Sequence, residues 1–281
     1  MPRIRDLFKF LFSFFIYCVI AAVTAFPLIC TAAPVDEFQQ RLPKFAVGAH
    51  QGGIFGPHFP NTLKQFEAAK NAGADIVEMD LRTTKDGIPV VFHNEKLNGF
   101  TTCTGPVRNK FFSELQRCRY LLTGGRINTF EEVLKWSSGQ IIVDAEFKDE
   151  ASIAPALALV NQYHALSWVY FQTQNNRTKY HLARDADPDV VLLYKIDSED
   201  DLQWVASLSD PALLIIEIDE TMRNPQTIET LHSLKKLVTE DSFNHDKLKE
   251  LFKAQCSKSF PFGIDIAVTN RTKSCLKQRP H

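Results

Sequence analysis

The sequence predicts an α/β fold with a parallel sheet, and three observations support this prediction. From residue 45 onward, short runs rich in β-branched and aromatic residues alternate with amphipathic stretches, the pattern of strands joined by helical crossovers. Eight candidate strands occur in about 250 residues, the size of a (β/α)8 barrel. No linker or change in composition within residues 40–281 marks a second domain. An open doubly wound sheet fits the same count, so the pattern alone leaves both topologies open.

The individual elements follow from local periodicity. Runs with high β-propensity predict strands. These are Phe45–Ala49, Ile76–Leu81, Pro89–His93, Ile141–Phe147, Val169–Thr173, Val190–Lys195, Leu213–Ile218 and Ile264–Thr269. Apolar residues at helical spacing predict the crossovers. These are Thr62–Asn71, Thr129–Trp136, Ala151–Tyr163, Lys179–Ala186, Asp200–Ser207 and Pro225–Val238.

The composition excludes several classes of protein. With 281 residues, 44% of them hydrophobic, the chain can bury a large core and is not a disordered segment. Its 32 basic and 33 acidic residues give a formal net charge of −1. Because no basic surplus is available to neutralise a run of phosphates, nucleic acid is not expected as a partner.

The first 33 residues differ in kind from the rest. Arg3, Arg5 and Lys9 precede residues 10–33, which contain no charged side chain. This pattern predicts a secretory signal peptide cleaved near residue 32 or 33, or alternatively a membrane anchor, because a bilayer needs about 20 apolar residues. We therefore expect residues 40–281 to form an extracytoplasmic domain, periplasmic or secreted, or one anchored to the membrane by residues 10–33.

Four cysteines lie beyond this leader, in a region expected to meet oxidising conditions. Local pairing of Cys103 with Cys118 and of Cys256 with Cys275 is the favoured arrangement, although four cysteines allow three connectivities. The sequence contains no CxxC motif or Cys/His spacing typical of zinc. Any metal site is therefore expected to use oxygen ligands.

Polar residues at the strand ends are the first indication of chemistry. The first strand runs directly into His50 and Gln51, and the second contains Glu78 and Asp80. Because side chains alternate along a strand, these two carboxylates face the same way, into the interior of a barrel. Two desolvated anions need a cation between them, and a hard divalent metal ion is the natural candidate.

The next two predicted strands add further groups. The third strand ends in His93, and alternation on the fourth places Glu146 and Lys148 on one face. Each of these residues alone is typical of a surface ion pair or a strand end. Together with Glu78 and Asp80 they predict three carboxylates, a lysine and two histidines at one mouth of the sheet.

Several segments resemble the glycerophosphodiester phosphodiesterase family. They include His50-Gln51-Gly52, Pro60-Asn61-Thr62, the long segment from Ala72 to Leu97, Glu146-Phe147-Lys148 and Gly263–Asn270. The family typically shows His-Arg-Gly, Pro-Glu-Asn-Thr, Glu-x-Asp, Thr-Lys-Asp-Gly, Pro-Val-Val-Phe-His, Glu-Ile-Lys and a last strand ending in Thr-Asp. The resemblance extends over about residues 45–271 and is densest in the first half.

This resemblance implies a (β/α)8 barrel that hydrolyses glycerophosphodiesters, small-molecule substrates, to glycerol 3-phosphate and an alcohol. In the family, a divalent ion, Ca²⁺ or Mg²⁺, is held at the positions that match Glu78, Asp80 and Glu146. The positions of His50 and His93 act as general acid and base, and the position of Lys148 helps to bind the phosphate.

Two positions depart from the family pattern. Gln51 stands in place of the arginine, on the phosphate-binding side, and Pro60 in place of the glutamate. An amide cannot supply the charge of a guanidinium, so we expect weaker phosphate binding or a shifted substrate. We hypothesise that the arginine and glutamate normally contact each other, so that the two losses are linked. Two alternatives remain: a phospholipase C- or D-like enzyme acting on lipid phosphodiesters, and a barrel that binds a metal or headgroup without efficient turnover.

Overall fold

The computed structural model describes residues 34–53, 59–242 and 253–280. Eight parallel strands within these ranges close into a barrel, because the first strand pairs with both the second and the last. The barrel strands are β1 Ala46–Ala49, β2 Ile76–Thr83, β4 Ile142–Phe147, β5 Val169–Gln172, β6 Val191–Ile196, β7 Leu213–Ile218, β8 Leu237–Asp241 and β9 Ile266–Thr269. The predicted (β/α)8 barrel is confirmed, and the open sheet is excluded. The predicted leader, residues 1–33, lies outside the described residues.

Helices connect most of the strands and cover the outside of the barrel. They are α1 Pro34–Arg41, α2 Leu63–Asn71, α3 Phe112–Leu115, α4 Phe130–Ser137, α5 Ile153–Gln162, α6 Arg177–Ala186, α7 Glu199–Ser207, α8 Pro225–Ser233 and α9 Thr272–Leu276. Local side chains define where several of them begin. Thr62 accepts a hydrogen bond from the Gln65 backbone at the start of α2, and Thr129 forms a capping box with Glu132 at the start of α4. No helix within the described ranges has the length and apolarity needed to span a bilayer.

Two element predictions were wrong, and their errors cancelled in the strand count. The predicted third barrel strand is β3, Pro89–Val91, which pairs antiparallel with β2 and lies outside the closed barrel. The predicted helix Pro225–Val238 ends at Ser233, and its last residues belong to β8. The break occurs at Lys235, whose left-handed backbone (φ 59°) cannot continue a helix. Because apolar and basic residues continue across that break, the periodicity of the sequence does not reveal where the helix ends.

The barrel interior is closed at its amino-terminal end by α1, a helix that the sequence analysis did not predict. Phe38 of α1 is fully buried against Tyr170 of β5, with ring centroids 5.6 Å apart in an edge-on arrangement. Residues that alternate with the interior positions, such as Val77 and Met79, pack outward into the main apolar core against the helices. This outward packing leaves Glu78 and Asp80 facing the barrel interior.

A disulfide-linked insertion, residues 92–129, separates β3 from α4 and has its own apolar cluster. The Cys103–Cys118 disulfide closes it, and Thr101 forms an antiparallel bridge with Tyr120. The second disulfide, Cys256–Cys275, connects the segment before β9 to α9. Both predicted pairings are confirmed.

Candidate active site

The turn after β1 positions the first functional side chains. Residues 50–52 form a short 3-10 turn in which Gln51 adopts a left-handed conformation (φ 50°). Gly52 is needed there, because its φ is 83° and a Cβ atom would lie 2.8 Å from Gln65 Cγ and 2.9 Å from Phe66 Cδ1. Gln65 also donates a hydrogen bond to the Gly52 carbonyl. This packing against α2 holds the turn at the carboxyl end of the barrel.

Three predicted metal ligands converge beside this turn. Oxygen atoms of Glu78, Asp80 and Glu146 all lie within 4.8 Å of one another. They converge because β2 and β4 are neighbours in register, with Asp80 opposite Glu146. Glu78 and Asp80 are only 3% and 1% exposed. The strand register therefore produces a buried cluster of carboxylates.

Lys148 and three amides support the cluster. Lys148 Nζ lies 3.3 Å from Asp80 Oδ1 and 2.8 Å from Glu146 Oε1. The Gln51 backbone N–H donates to Glu78 at 2.7 Å, and its side-chain amide donates to Asp80 at 2.9 Å. Asn61 donates to Asp80 at 2.6 Å and accepts from the Asp80 backbone N–H at 3.1 Å. Each carboxylate is therefore oriented before any ligand binds.

Burial and the close approach of charges shift the pKa values of the cluster. Burial, reinforced by the charges of Asp80 and Asp144, raises the pKa of Glu78 well above its usual range. Burial would lower the pKa of Lys148, but Asp80 and Glu146 outweigh it and the net shift is upward. Lys148 is therefore a charged ammonium at neutral pH. One ammonium among three converging carboxylates leaves an excess of negative charge.

Asp144 adds to that excess. It lies one step deeper on β4 than Glu146, is fully buried, and accepts hydrogen bonds from Tyr170 at 2.8 Å and from Gln172 at 2.7 Å. Burial raises the pKa of Asp144 well above its usual range. A hard divalent cation fits these residues, because the converging donors are all carboxylate oxygens and their negative charge exceeds that of Lys148.

The two histidines have different surroundings. His50 Nδ1 lies 2.9 Å from the side-chain oxygen of Asn270, and His50 Nε2 lies 4.0 Å from Glu78. His93 is exposed, and its backbone carbonyl accepts two hydrogen bonds from the Arg82 guanidinium, at 3.0 and 2.8 Å. His50 is thus held next to the carboxylates. The loop that carries His93 is instead anchored by Arg82, near the carboxyl end of β2.

The opposite side of the barrel mouth carries a second charged group. Lys195 on β6 contacts Glu217 on β7 at 2.6 Å. Burial and the charge of Asp241, partly offset by Lys195, raise the pKa of Glu217 to about 7. The charge of Glu146 also helps to raise this pKa, so Glu217 interacts electrostatically with the carboxylate cluster on β2 and β4.

Sequence reasoning missed two residues of the site. In the sequence, Asn61 belongs only to a segment that resembles the family, yet its side chain binds both the carboxylate and the backbone of Asp80. Asn270 was noted only as part of the last strand, yet it pairs with His50. A polar residue that directly follows a barrel strand, as Asn270 does, was the available signal. Nothing in the local sequence of Asn61 indicates its partner.

Comparison with known proteins agrees with this geometry. The model of the glycerophosphoryl diester phosphodiesterase family matches residues 50–262. The chain belongs to this family. A family relative from Bacillus altitudinis, named glycerophosphodiester phosphodiesterase, is 44% identical over 70 residues. That alignment covers 25% of this chain and 28% of the relative, so the chain matches well under half of the relative's length.

Solved structures show the same fold. A glycerophosphoryl diester phosphodiesterase from Parabacteroides distasonis superposes with a TM-score of 0.71 at 18% identity, over 87% of this chain and 90% of that one. A phosphodiesterase from Oleispira antarctica, in complex with the product sn-glycerol-3-phosphate, superposes with a TM-score of 0.68 at 20% identity, over 85% and 98% of the two chains. At these identities the likeness concerns the fold.

Proposed function

We propose that this protein hydrolyses glycerophosphodiesters to glycerol 3-phosphate and an alcohol with the help of a divalent metal ion. The observation that carries the proposal is the convergence of Glu78, Asp80 and Glu146 with Lys148 beside His50. Family membership supports the reaction class. So do the name of the Bacillus altitudinis relative and the product bound to the Oleispira antarctica enzyme.

The substrate is an anion, so the site must first neutralise it. The Lys148 ammonium supplies hydrogen bonds and positive charge to a non-bridging phosphate oxygen. Glu78, Asp80 and Glu146 would hold Ca²⁺ or Mg²⁺, which when bound supplies a Lewis acid for the phosphoryl oxygens. Gln51 and Asn61 keep Asp80 oriented for this task.

Proton transfer is assigned to the two histidines. Asn270 accepts the Nδ1 proton of His50, which leaves Nε2 on the side of Glu78 available for acid–base work. One histidine takes a proton from the attacking hydroxyl while the other gives a proton to the departing alkoxide. The attacking hydroxyl belongs to water or to the substrate's own neighbouring hydroxyl; the second route passes through a cyclic phosphate. Both routes use His50 and His93.

The role that we propose for Gln51 differs from the one expected from the sequence. It was expected on the phosphate-binding side, but its backbone N–H and its side-chain amide nitrogen both donate to carboxylates of the cluster. We therefore assign Gln51 mainly to orienting Asp80. Phosphate recognition then rests chiefly on Lys148 and the metal ion.

We further propose that the barrel works outside the cytoplasm, either released or held by residues 10–33. The Cys103–Cys118 and Cys256–Cys275 disulfides support this location, because such bonds persist in oxidising compartments. The signal peptide or anchor stays a prediction.

The central test is release of glycerol 3-phosphate from glycerophosphocholine by the purified full chain, with Ca²⁺ or Mg²⁺ and with chelator. We expect turnover that the chelator abolishes and that Asp80→Asn lowers about 1,000-fold, since it weakens both a ligand and the Lys148 contact. Glu229→Gln, an exposed carboxylate on α8, is the matched control and should behave as wild type. A folded protein with no turnover under any metal would contradict the proposal and favour the barrel that only binds a metal or headgroup.

A further inference from the structure

The disulfide-linked insertion, residues 92–129, concentrates the exposed apolar side chains of this protein. Among the residues that the structure describes, six large apolar side chains are exposed: Ile88, Phe100, Phe111, Leu121, Leu122 and Leu182. Four of the six belong to the insertion, and Leu121 and Leu122 are the most exposed, at 57% and 87%. Single exposed apolar residues are ordinary on protein surfaces, whereas a group of them marks an interaction site.

Strand pairing within the insertion brings three of these side chains together. Thr101 and Tyr120 form an antiparallel bridge, and both are buried. Because side chains alternate along paired strands, the neighbouring Phe100 and Leu121 lie on the opposite, exposed face. The Leu121 backbone N–H donates to the Phe100 carbonyl at 3.0 Å, which keeps the two residues side by side. We name Phe100, Leu121 and the adjacent Leu122 the leucine tip.

The insertion is also a basic part of the chain. It contains six basic and two acidic side chains, a net charge of +4 with histidine neutral, whereas the whole chain has a net charge of −1. The two acidic side chains, Glu95 and Glu114, each lie 3.7 Å from a basic side chain of the same insertion. Positive charge therefore remains in excess on this element.

Several of the remaining cations lie beside the leucine tip. Arg119 adjoins the bridge and is exposed, as is Arg117. Lys64 and Arg126 line a cavity of 570 Å³ together with Leu122. Arg126 is paired with a glutamate of α4 at 2.6 Å, whereas Lys64, Arg117 and Arg119 form no ion pair within the described ranges. A cationic rim therefore borders the apolar tip.

The leucine tip lies on the active-site side of the barrel. Phe100 lines a pocket of 310 Å³ together with Gln51, Asn61 and His93, at the carboxyl ends of the strands. The opposite end of the barrel is closed by α1. A surface that binds the tip would therefore face the mouth of the candidate active site.

Apolar side chains bordered by cations fit an anionic lipid surface. Leucine and phenylalanine gain free energy on entering the boundary between headgroups and acyl chains, and basic side chains gain from anionic headgroups. A second copy of the chain would bring equal positive charge against this face, which opposes pairing of two tips. We propose that the leucine tip docks this protein on the surface of an anionic phospholipid bilayer. The docking is separate from residues 10–33 and does not depend on which diester the site hydrolyses.

A reporter on the tip tests the proposal in the full chain, even if residues 10–33 insert by themselves. With vesicles of phosphatidylglycerol and phosphatidylcholine, Leu122→Trp should add emission that shifts to shorter wavelength and that brominated acyl chains quench. Pure phosphatidylcholine should cause neither change. Leu182→Trp, at an exposed leucine of α6, is the matched control and should not respond. No response at position 122, equal responses at both positions, or equal responses to the two lipid compositions would overturn the proposal.

The cationic rim is tested in the Leu122→Trp background. Arg117→Glu should raise the phosphatidylglycerol concentration needed for a half-maximal response at least about tenfold. Each basic residue near an anionic surface contributes about fivefold in affinity, and this reversal changes two charges. Lys277→Glu, at an exposed lysine just beyond α9, makes the same change elsewhere and should have little effect. Equal effects of the two variants would contradict a specific docking face.

The alternative occupant of the leucine tip is a second copy of this chain. Sedimentation equilibrium without lipid should give the same mass for the wild type and for Leu121→Ser/Leu122→Ser. An unchanged melting temperature would show that the variant is folded. A wild-type dimer that this variant abolishes would assign the tip to self-association and overturn the lipid proposal.

Discussion

The two sides of the candidate site are built in contrasting ways. The carboxylate side lies on β2 and β4, strands that are hydrogen-bonded to neighbours on both edges inside a closed barrel. The aromatic side, formed by Phe59, Phe92, Phe100 and Tyr120, lies largely on an insertion with its own apolar cluster and its own disulfide. The groups that must keep a strict geometry are thus on the scaffold, and the surface that can select a substrate is on a separable element.

The two sides also differ in energetic character. On the carboxylate side, burial and neighbouring charges raise the pKa values of Glu78 and Asp144, so keeping these groups ionised costs free energy. The aromatic side is stabilised by apolar and ring contacts, including the Phe59–Tyr120 stack. We therefore expect substitutions on the carboxylate side to change activity far more than stability. For small substrates, we expect substitutions on the aromatic side to change stability more than activity.

The largest effect is expected at His50. His50→Ala removes a proton-transfer group and should lower kcat on glycerophosphocholine by about 100- to 10,000-fold, with little change in the melting temperature because the side chain is part-exposed. His181→Ala, at an exposed residue of α6, serves as the control. A loss below about tenfold would show that His50 is not an acid–base group.

Removing each disulfide in turn tests whether the insertion is separable. The Cys103→Ser/Cys118→Ser variant should lose about 3 kcal/mol of unfolding free energy, since the bond closes a loop of 15 residues. The Cys256→Ser/Cys275→Ser variant, with a similar loop of 19 residues, should lose similar stability.

The pKa of Glu78 predicts how metal binding depends on pH. The pKa of Glu78 is higher in the folded protein than its unfolded value of 4.5. Without metal, the free energy of unfolding therefore falls as pH rises above 4.5, and the loss is complete above the raised folded pKa. At pH 5, a metal ion that binds Glu78 must also displace the proton of its carboxyl group. Added Ca²⁺ or Mg²⁺ should therefore raise the melting temperature more at pH 8 than at pH 5. A larger shift at pH 5 would contradict this account.

A smaller effect is expected from Gln51→Arg. An arginine at this position would lie beside Asp80, to which the glutamine now donates, and the added cation would compete with the metal ion. We expect kcat/KM to change by less than about threefold, with a higher metal concentration needed for half-maximal rate. A large gain in rate without Pro60→Glu would instead argue against a linked loss of the two family residues.

The smallest effect is expected at Tyr120. Its buried hydroxyl has no partner among the described residues, so Tyr120→Phe removes an unsatisfied group and should leave the unfolding free energy unchanged or raise it by about 1 kcal/mol. Chemical denaturation measures this directly. A clear loss of stability would reveal a hydrogen bond to that hydroxyl.

The sequence was most informative where chemistry and periodicity coincide. Alternation alone placed Glu78 and Asp80 on one interior face, because the side-chain period of a strand is invariant. It was least informative at β8, where a single left-handed residue, Lys235, separates the helix from the strand. A backbone reversal at a non-glycine residue has no compositional signature, so the strand appeared to be the end of a helix.

Contacts between distant segments were the other limit. Asn61 and Asp80 are 19 positions apart, and His50 and Asn270 are 220 positions apart. Such partners are determined by barrel closure, which only the folded chain reveals. The stack of Phe59 on Tyr120 likewise depends on how the insertion folds back against Phe59, and no local pattern in residues 92–129 predicts it.

The His50–Asn270 contact has a practical consequence for producing this protein. Asn270-Arg271-Thr272 is an acceptor sequence for N-glycosylation, so a secretory eukaryotic host would be able to attach a sugar to the amide that His50 needs. A glycan on that amide would disrupt the contact. Thr272→Val abolishes the acceptor sequence and retains Asn270, and the Thr272 hydroxyl has no partner among the described residues. Recombinant material from such a host is best prepared from that variant.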